Sequence, residues 1–393
     1  MNKDEIISRG RAAIMKTCPL QPVVIERGEG CYLYDSDGKK YLDFTSGVAV
    51  NPLGHSHPAY IAAAKEQVAK LSHLPGSFMT EPKMKLAEAL TGNSAFDEVF
   101  FCNSGTEANE GALKLARKWA KENKGPDCTE IICFNGSFHG RTFGALSVTK
   151  GREMREIYEP ALSGVHFAEF NDIDSVRNFA GEKTACIIVE PVQGENGVYP
   201  ATKGFMYDLR DFCDELDIAL IFDEVQTGIG RTGKLFACEH YGIEPDITSL
   251  AKGLGNGFPI GAVLARDKFS SAFDYGSHGS TFGGGPVGTR LAGVVVEEVL
   301  KPGFLDNVNK CGERLLSGLK ELQNQKDTVT CVRGMGLMAG IDITPPLKEV
   351  LDDCRENGLL PWRAGKNTMR ILPPLVISEK EIDEGLEILS KVL

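Results

Sequence analysis

Between residues 98 and 265 the chain repeats one pattern: a run of four or five apolar residues, then a longer stretch in which apolar positions recur every three or four residues. The runs are Val99–Cys102, Glu130–Phe134, Ala185–Val189, Ala219–Phe222, Ile247–Leu250 and Ile260–Leu264. Each is the length of a strand buried on both faces. The stretches between them read as helices, among them Ala108–Lys121, with Leu113, Ala116 and Ala120 on one face, and Lys203–Leu216. Strand and helix in alternation predict an α/β fold with a mostly parallel sheet and right-handed crossovers.

The flanks read differently. CYLYDSDGKKYLDFTSG predicts a hairpin turning at Ser36–Gly38, followed by a helix from Ala59 to Leu71. After the core, a helical pattern from Thr289 through Leu322 leads to a tail with strands near Gly336–Ile343 and Met369–Leu372. That tail predicts a smaller α+β C-terminal domain beginning near residue 287. No internal repeat or low-complexity tract interrupts the chain.

Composition narrows the function classes. With 42% hydrophobic and 25% charged residues the chain is of ordinary globular make-up. A net charge of −11 disfavours nucleic acid and anionic membranes as partners, though a local basic pocket for a small anion is compatible with it. The opening MNKDEIISRGRAAIMKTCPL lacks the apolar core of a secretory signal, and the expected location is the cytoplasm. Eleven cysteines, an odd number without C-x-x-C spacing, are expected to be reduced, buried small hydrophobes. His55 with His57, or Cys238 with His240, lacks the second pair that a zinc site needs, and no metal is expected.

In open α/β sheets, ligands sit at the carboxyl ends of the strands, so the residues just after each run carry the candidate chemistry. Asn103-Ser104-Gly105-Thr106 precedes a helix; it reads either as a plain N-cap or as an anion cradle offering free amides and the positive dipole end. Asp223 follows the fourth run, where a carboxylate could bind a metal, cap a helix or hold a buried cation. Lys252, amid glycines, is either a solvated charge or a desolvated nucleophile. Arg141 and Arg370 suit bidentate carboxylate recognition, or surface ion pairs. Gly228–Lys234, GIGRTGK, matches both the P-loop and the dinucleotide patterns. Leu235 stands where a P-loop needs a hydroxyl for magnesium, and KLFACEHYG opens a helix poorly.

Taken in order, GVAVNPLGHSHP, NSGTEANE, SFHGRT, VEPVQGENGV, LIFDEVQTGIGRTGKLFACEHYGIEPDI, AKGLGNGFPIGA, GSHGSTFGG and MRILPPLVISEKEID resemble the class III, fold type I aminotransferases, and within them most closely the acetylornithine aminotransferases. The resemblance covers nearly the whole chain. It implies pyridoxal 5'-phosphate as cofactor, an N-terminal segment 1–50 packing with the small domain, a cofactor-binding large domain 51–286 and a small domain 287–393. Lys252 would carry the cofactor as a Schiff base and act as general base, and Asp223 would pair with the pyridine nitrogen. Phe138 and Val225 would face the ring, with Gln226 near its phenolic oxygen. Ser104, Gly105 and Thr106 would cradle the phosphate, joined by Thr281 from a second subunit of a homodimer. Arg141 and Arg370 would each hold a substrate carboxylate, and Glu195 would mask Arg370 when a basic ω-amino donor binds.

The resemblance thus implies transfer of the ω-amino group of N2-acetylornithine, or a close acyl-ornithine, to 2-oxoglutarate. Its alternatives are another ω-aminotransferase, acting on ornithine, succinylornithine, 4-aminobutyrate or a diamine, and glutamate-1-semialdehyde aminomutase. Cys18, Pro75-Gly76 and Gly285-Pro286 depart from the family pattern around the substrate mouth and cofactor edge, which bears on the donor. Val48, small where ornithine aminotransferases carry Tyr, favours an acylated one.

Overall fold

A computed structural model describes residues 1–149 and 155–393. Seven strands form the central sheet in the order Glu98–Cys102, Gly261–Ala265, Ile247–Leu250, Ala219–Asp223, Thr184–Val189, Glu130–Phe134 and Val165–Ala168. Gly261–Ala265 is antiparallel to both its neighbours and every other pair is parallel, so the six expected runs form a mostly parallel sheet with one reversed member. The seventh strand, Val165–Ala168, has no apolar run of its own. It lies at the sheet edge with three of its four residues only partly buried, and the apolar-run signal needs burial on both faces. Leu113, Ala116 and Ala120 of the helix Gly105–Asn123 are buried against this sheet as the periodicity predicts. Eight of the eleven cysteines are buried, and Cys102, Cys128, Cys133 and Cys186 pack within that same apolar core.

The helical pattern from Thr289 to Leu322 is two helices, Pro286–Val299 and Phe304–Gln325. Lys301-Pro302-Gly303 divides them, because Pro cannot donate to the helical ladder and Gly303 takes a left-handed φ of 85°. The first helix packs Leu291, Val294 and Val295 against Leu86 and Leu90 of the large domain. The second packs Val308, Leu315 and Leu319 into a separate core with Ile341, Met369 and Ile371. The two helices of this pattern thus contribute to different cores.

The smaller domain is built on a four-stranded antiparallel sheet in the order Val329–Met335, Met338–Ile343, Thr368–Ile371, Trp362–Ala364. The hairpin around Ser36–Gly38 joins Tyr32–Asp35 to Lys40–Asp43, and Lys40–Asp43 takes Leu359–Leu360 as a parallel neighbour. Cys31, Leu42 and Phe44 of this N-terminal segment lie in the small-domain core. Among the described residues, no helix is long and apolar enough to cross a membrane.

GIGRTGK is a structural staple. Arg231 is 2% exposed, and its Nη1 donates to the carbonyls of Leu337 at 3.0 Å and Pro373 at 2.6 Å, while Nη2 reaches Ser46 Oγ at 3.3 Å. One side chain thus ties the large-domain loop to the small domain and the N-terminal segment. Burial holds its guanidinium down at about 9, with the charge of Asp43 opposing the shift. Arg231→Leu is expected to strand two buried carbonyls at about 1–3 kcal/mol each. A fall in the denaturation midpoint, with the spectrum of any bound cofactor unchanged before unfolding, is the result that checks it. Two of the three imidazoles considered as metal ligands have other partners: His55 Nε2 lies 2.8 Å from Asp43 Oδ2, and His240 Nε2 lies 3.0 Å from the Thr232 carbonyl.

Candidate active site

Because the parallel strands point one way, their carboxyl ends release Asn103, Asn135, Glu190, Asp223 and Ala251 along a single edge of the sheet. A cavity of about 370 Å³ opens there, and Ser104, Gly105, Thr106, Phe138, Arg141, Asp223, Val225, Gln226 and Lys252 all line it.

Asp223 ends its strand 4% exposed. Its Oδ2 accepts from Asn109 Nδ2 and His139 Nδ1, each at 2.7 Å, and its Oδ1 accepts from the Val225 amide at 3.0 Å. Asn109 is fixed in turn by Ser249 Oγ, which donates to its Oδ1 at 2.6 Å. A buried carboxylate with three donors is locked in position. Asn109, His139 and Ser249 received no role from the sequence. Asn109, a polar residue one turn into a helix between buried Ala108 and Ala112, was the available signal. His139 Nε2 is buried without a partner among the described residues.

Lys252 opens the turn Lys252–Gly255 with φ +40°, a region sparsely populated for residues other than Gly and typical of functional sites. Burial pushes its amine below the usual lysine range; the charges of Glu195, Asp223 and Glu190 offset part of this shift and Arg370 adds to it. Glu190 also lines the cavity and accepts from the Phe138 amide at 3.0 Å. Burial, then the neighbouring charge of Asp223, pushes its carboxyl well above the ordinary range.

The two readings of Asn103–Thr106 are compatible. Ser104 caps the helix by accepting from the Glu107 amide at 3.3 Å, while Gly105 and Thr106, its first two residues, form cavity wall. A Cβ at Gly105 would meet Val225 Cγ1 at 2.7 Å, so glycine lets the valine close over the helix start. Thr106 Oγ1 accepts from the amides of Arg141 at 3.2 Å and Thr142 at 3.3 Å, which holds the Arg141 loop at the mouth. Arg141 itself is exposed, its guanidinium 5.2 Å from the Phe138 ring centroid.

Arg370 and Glu195 stand behind Gln226 rather than in the cavity wall. Arg370 Nη1 donates to Glu195 Oε1 at 2.6 Å and to Gln226 Oε1 at 3.1 Å. Arg370 is fully buried, yet its Nε and Nη2 have no hydrogen-bond partner among the described residues. Burial pushes Glu195 upward, but the charge and hydrogen bond of Arg370 outweigh it and leave the carboxyl below its usual range. Val48 and Thr281 are not brought into the wall. Val48 packs beside Val192, Val198 and Leu372, and Val50 lines the cavity instead. Thr281 is exposed on a loop outside it.

Pyridoxal 5'-phosphate finds a counterpart here for its phosphate, its ring nitrogen and its aldehyde. A dianionic phosphate suits the helix start at Ser104–Thr106, a ring N–H suits the locked Asp223 carboxylate, and an aldehyde suits an amine whose proton burial has loosened. With this sheet and satellite domain they define the class as pyridoxal-phosphate-dependent transferases of fold type I.

Within that class, the family model described as aminotransferase class-III matches residues 15–393, and the chain belongs to this family, whose members depend on pyridoxal phosphate. The acetylornithine aminotransferase of Clostridium acetobutylicum is 45% identical over 379 residues, covering 96% of this chain and 98% of its own. The crystal structure of acetylornithine aminotransferase from Elizabethkingia anophelis superposes with a TM-score of 0.89 at 34% identity, covering 100% of this chain and 99% of its own. The ornithine aminotransferase from Toxoplasma gondii ME49 superposes at 0.96 with 30% identity, covering 100% of this chain and 95% of its own.

Proposed function

We propose that this aminotransferase moves the δ-amino group of N2-acetylornithine, or a close acyl-ornithine, to 2-oxoglutarate, giving the semialdehyde and glutamate in two successive half-reactions. The observation that carries this reading is Arg370, a buried guanidinium with two nitrogens unpaired among the described residues and its third covered by a displaceable carboxylate. Such a group is a receptor for the carboxylate of glutamate that Glu195 can mask when the other substrate occupies the site. The acetylornithine aminotransferases to which the chain is similar support the donor.

The cofactor, when bound, supplies an electron sink for the carbanion left when a proton leaves the substrate carbon. The chain's own residues do the rest. Ser104, Gly105 and Thr106 would hold the phosphate, Phe138 and Val225 would confine the ring, and Gln226 would stand near its phenolic oxygen. Asp223, kept in place by Asn109 and His139, would hold the proton on the ring nitrogen. Lys252 would tether the aldehyde carbon at rest and, once displaced, carry the proton at the substrate carbon. A lowered amine is suited to both tasks, since only its neutral form attacks or accepts. Arg141 would take the donor's α-carboxylate at the mouth.

Free ornithine brings a charged α-amino group into a mouth whose fixed charge is Arg141, and acylation removes that cation. A polar mismatch of about 1–3 kcal/mol predicts a preference for the acylated donor of roughly 5-fold to 150-fold in kcat/KM. Acetylornithine, succinylornithine, ornithine and 4-aminobutyrate measured side by side against 2-oxoglutarate check it. Equal or better activity with ornithine would overturn the acyl-donor assignment and leave the aminotransferase class standing. Turnover of glutamate-1-semialdehyde without 2-oxoglutarate would point to the aminomutase.

The proposal extends to a homodimer in which the partner subunit's Thr281 completes the phosphate site. Thr281 is exposed outside its own cavity, and Phe78, Met79, Phe258 and Phe282 leave a large apolar area uncovered, His73, Phe258 and Phe282 lining a second cavity of about 300 Å³ beside the first. Eleven unpaired thiols support a reducing compartment, the cytoplasm.

A further inference from the structure

The segment carrying Glu195 follows a large-domain strand but is bonded to the small domain. The Gly365 amide donates to the Glu195 carbonyl at 2.8 Å, and Arg333 Nε donates to the Gly197 carbonyl at 2.7 Å. Arg333 is held from behind by a bidentate pair with Asp342, Nη1 to Oδ2 at 2.6 Å and Nη2 to Oδ1 at 2.8 Å. Its Nη2 also donates to Thr368 Oγ1 at 3.0 Å, and its Cζ lies 4.0 Å from the Tyr199 ring centroid. Backbone and side chains are in close contact here. A Cβ at Gly197, whose φ is +130°, would meet Arg333 Nη2 at 2.8 Å and Thr368 Oγ1 at 2.9 Å, and one at Gly365 would meet the Asn196 carbonyl at 2.5 Å.

Thr368 lies two residues before Arg370 on the same strand, hence on the same face, and Asp342 is its partner across the pair. The bracket that grips residues 195–197 and the guanidinium that Glu195 covers therefore stand on one sheet. A hinge motion between the two domains moves both together and leaves their pairing intact. Only a change within the 195–197 segment or a rotation of the Glu195 side chain can separate them.

We propose that Arg333, braced by Asp342, is a positioning residue that sets the closed state of the Glu195–Arg370 pair and so apportions the site between its ω-amino donor and its dicarboxylate. The inference rests on Glu195 acting as the mask of Arg370. With the segment released, Glu195 withdraws more readily and Arg370 meets a carboxylate sooner. Glutamate gains. The acylated donor loses, because seating its carboxylate on Arg370 presents the acylated nitrogen, which is unproductive, instead of the δ-amine.

The test uses the cofactor-loaded enzyme and follows each half-reaction alone by its absorbance change, with glutamate and with acetylornithine, in wild type, Arg333→Met, Asp342→Asn and Glu195→Gln. Arg333→Met is expected to change the ratio of the two kcat/KM values by about 10-fold in favour of glutamate, the scale of one charged hydrogen bond. Asp342→Asn, which keeps the arginine and loosens its brace, is expected to move the ratio the same way by less, and it serves alone if Arg333→Met does not fold. A shifted ratio in Glu195→Gln with an unshifted one in both bracket variants overturns the role of Arg333 while the mask stands. An unshifted ratio in Glu195→Gln overturns the mask itself. An equal loss in both half-reactions of the bracket variants, with a lower Tm, marks a merely structural role and overturns the proposal.

Discussion

Lys252→Ala is expected to abolish turnover while the protein stays folded, because one side chain would supply both the tether for the cofactor and the proton carrier. General acid–base help alone is typically worth about 10²–10⁴ in rate, and losing the tether adds to that. The fold should survive, since among the described residues the Lys252 side chain makes no hydrogen bond that holds another element and alanine tolerates its position no worse. Borohydride reduction of the wild-type holoenzyme followed by peptide mapping should label Lys252, and a label on any other lysine would falsify the assignment. The depressed amine adds a pH signature. Because only the neutral amine captures an aldehyde, the apoprotein should take up the cofactor at pH values well below those at which an exposed lysine of ordinary pKa reacts. Capture falls only as pH drops through the lowered value, and a profile that climbs only toward the ordinary lysine range would contradict it.

Asp223→Ala is expected to be the second most damaging change, and it acts on two quantities. The catalytic one is the protonated ring nitrogen, without which the ring is a poor sink, so most of kcat should disappear. The other is the buried network: His139 Nδ1 and the Val225 amide lose their acceptor, and Asn109 Nδ2 keeps only the His139 carbonyl. Breaking such an arrangement typically costs about 3–5 kcal/mol, or roughly 10²- to 4 × 10³-fold in cofactor affinity if it is felt there. Single-turnover rates measured at saturating cofactor separate the two effects. A half-reaction rate close to wild type would show that another group holds the ring proton.

Much of the site was legible because its residues follow buried strands within one to a few positions. Asp223 directly follows one run and Lys252 stands two residues beyond another, so periodicity and the rule of strand ends mark both as candidates. Ser104–Thr106 was legible for the same reason, as a hydroxyl-rich helix start after a strand. Arg370 could be singled out only as an arginine suited to a carboxylate, and Glu195 was reached through resemblance alone. Their partnership spans 175 residues and two domains, and no local pattern contains it.

The edge strand Val165–Ala168 and the hairpin strand Val329–Met335 escaped because partial burial blurs the apolar signal. The break at Pro302-Gly303 was spelled out in the residues, yet the apolar period runs straight across it. Only the tertiary packing shows that the two helices enter different cores.

The amino-acid sequence by itself determined the α/β order, the strand ends at which chemistry emerges and the residue types placed there, since these depend on burial and backbone preference within a few residues. Tertiary structure alone decided which groups share a hydrogen bond: His139 and Asn109 on Asp223, Arg231 between two domains, and Arg333 beneath the Glu195 segment. The physical reason is range. A side chain's periodicity records that it is buried, whereas its partner and the direction of its donors are set by elements that approach only after the chain has folded.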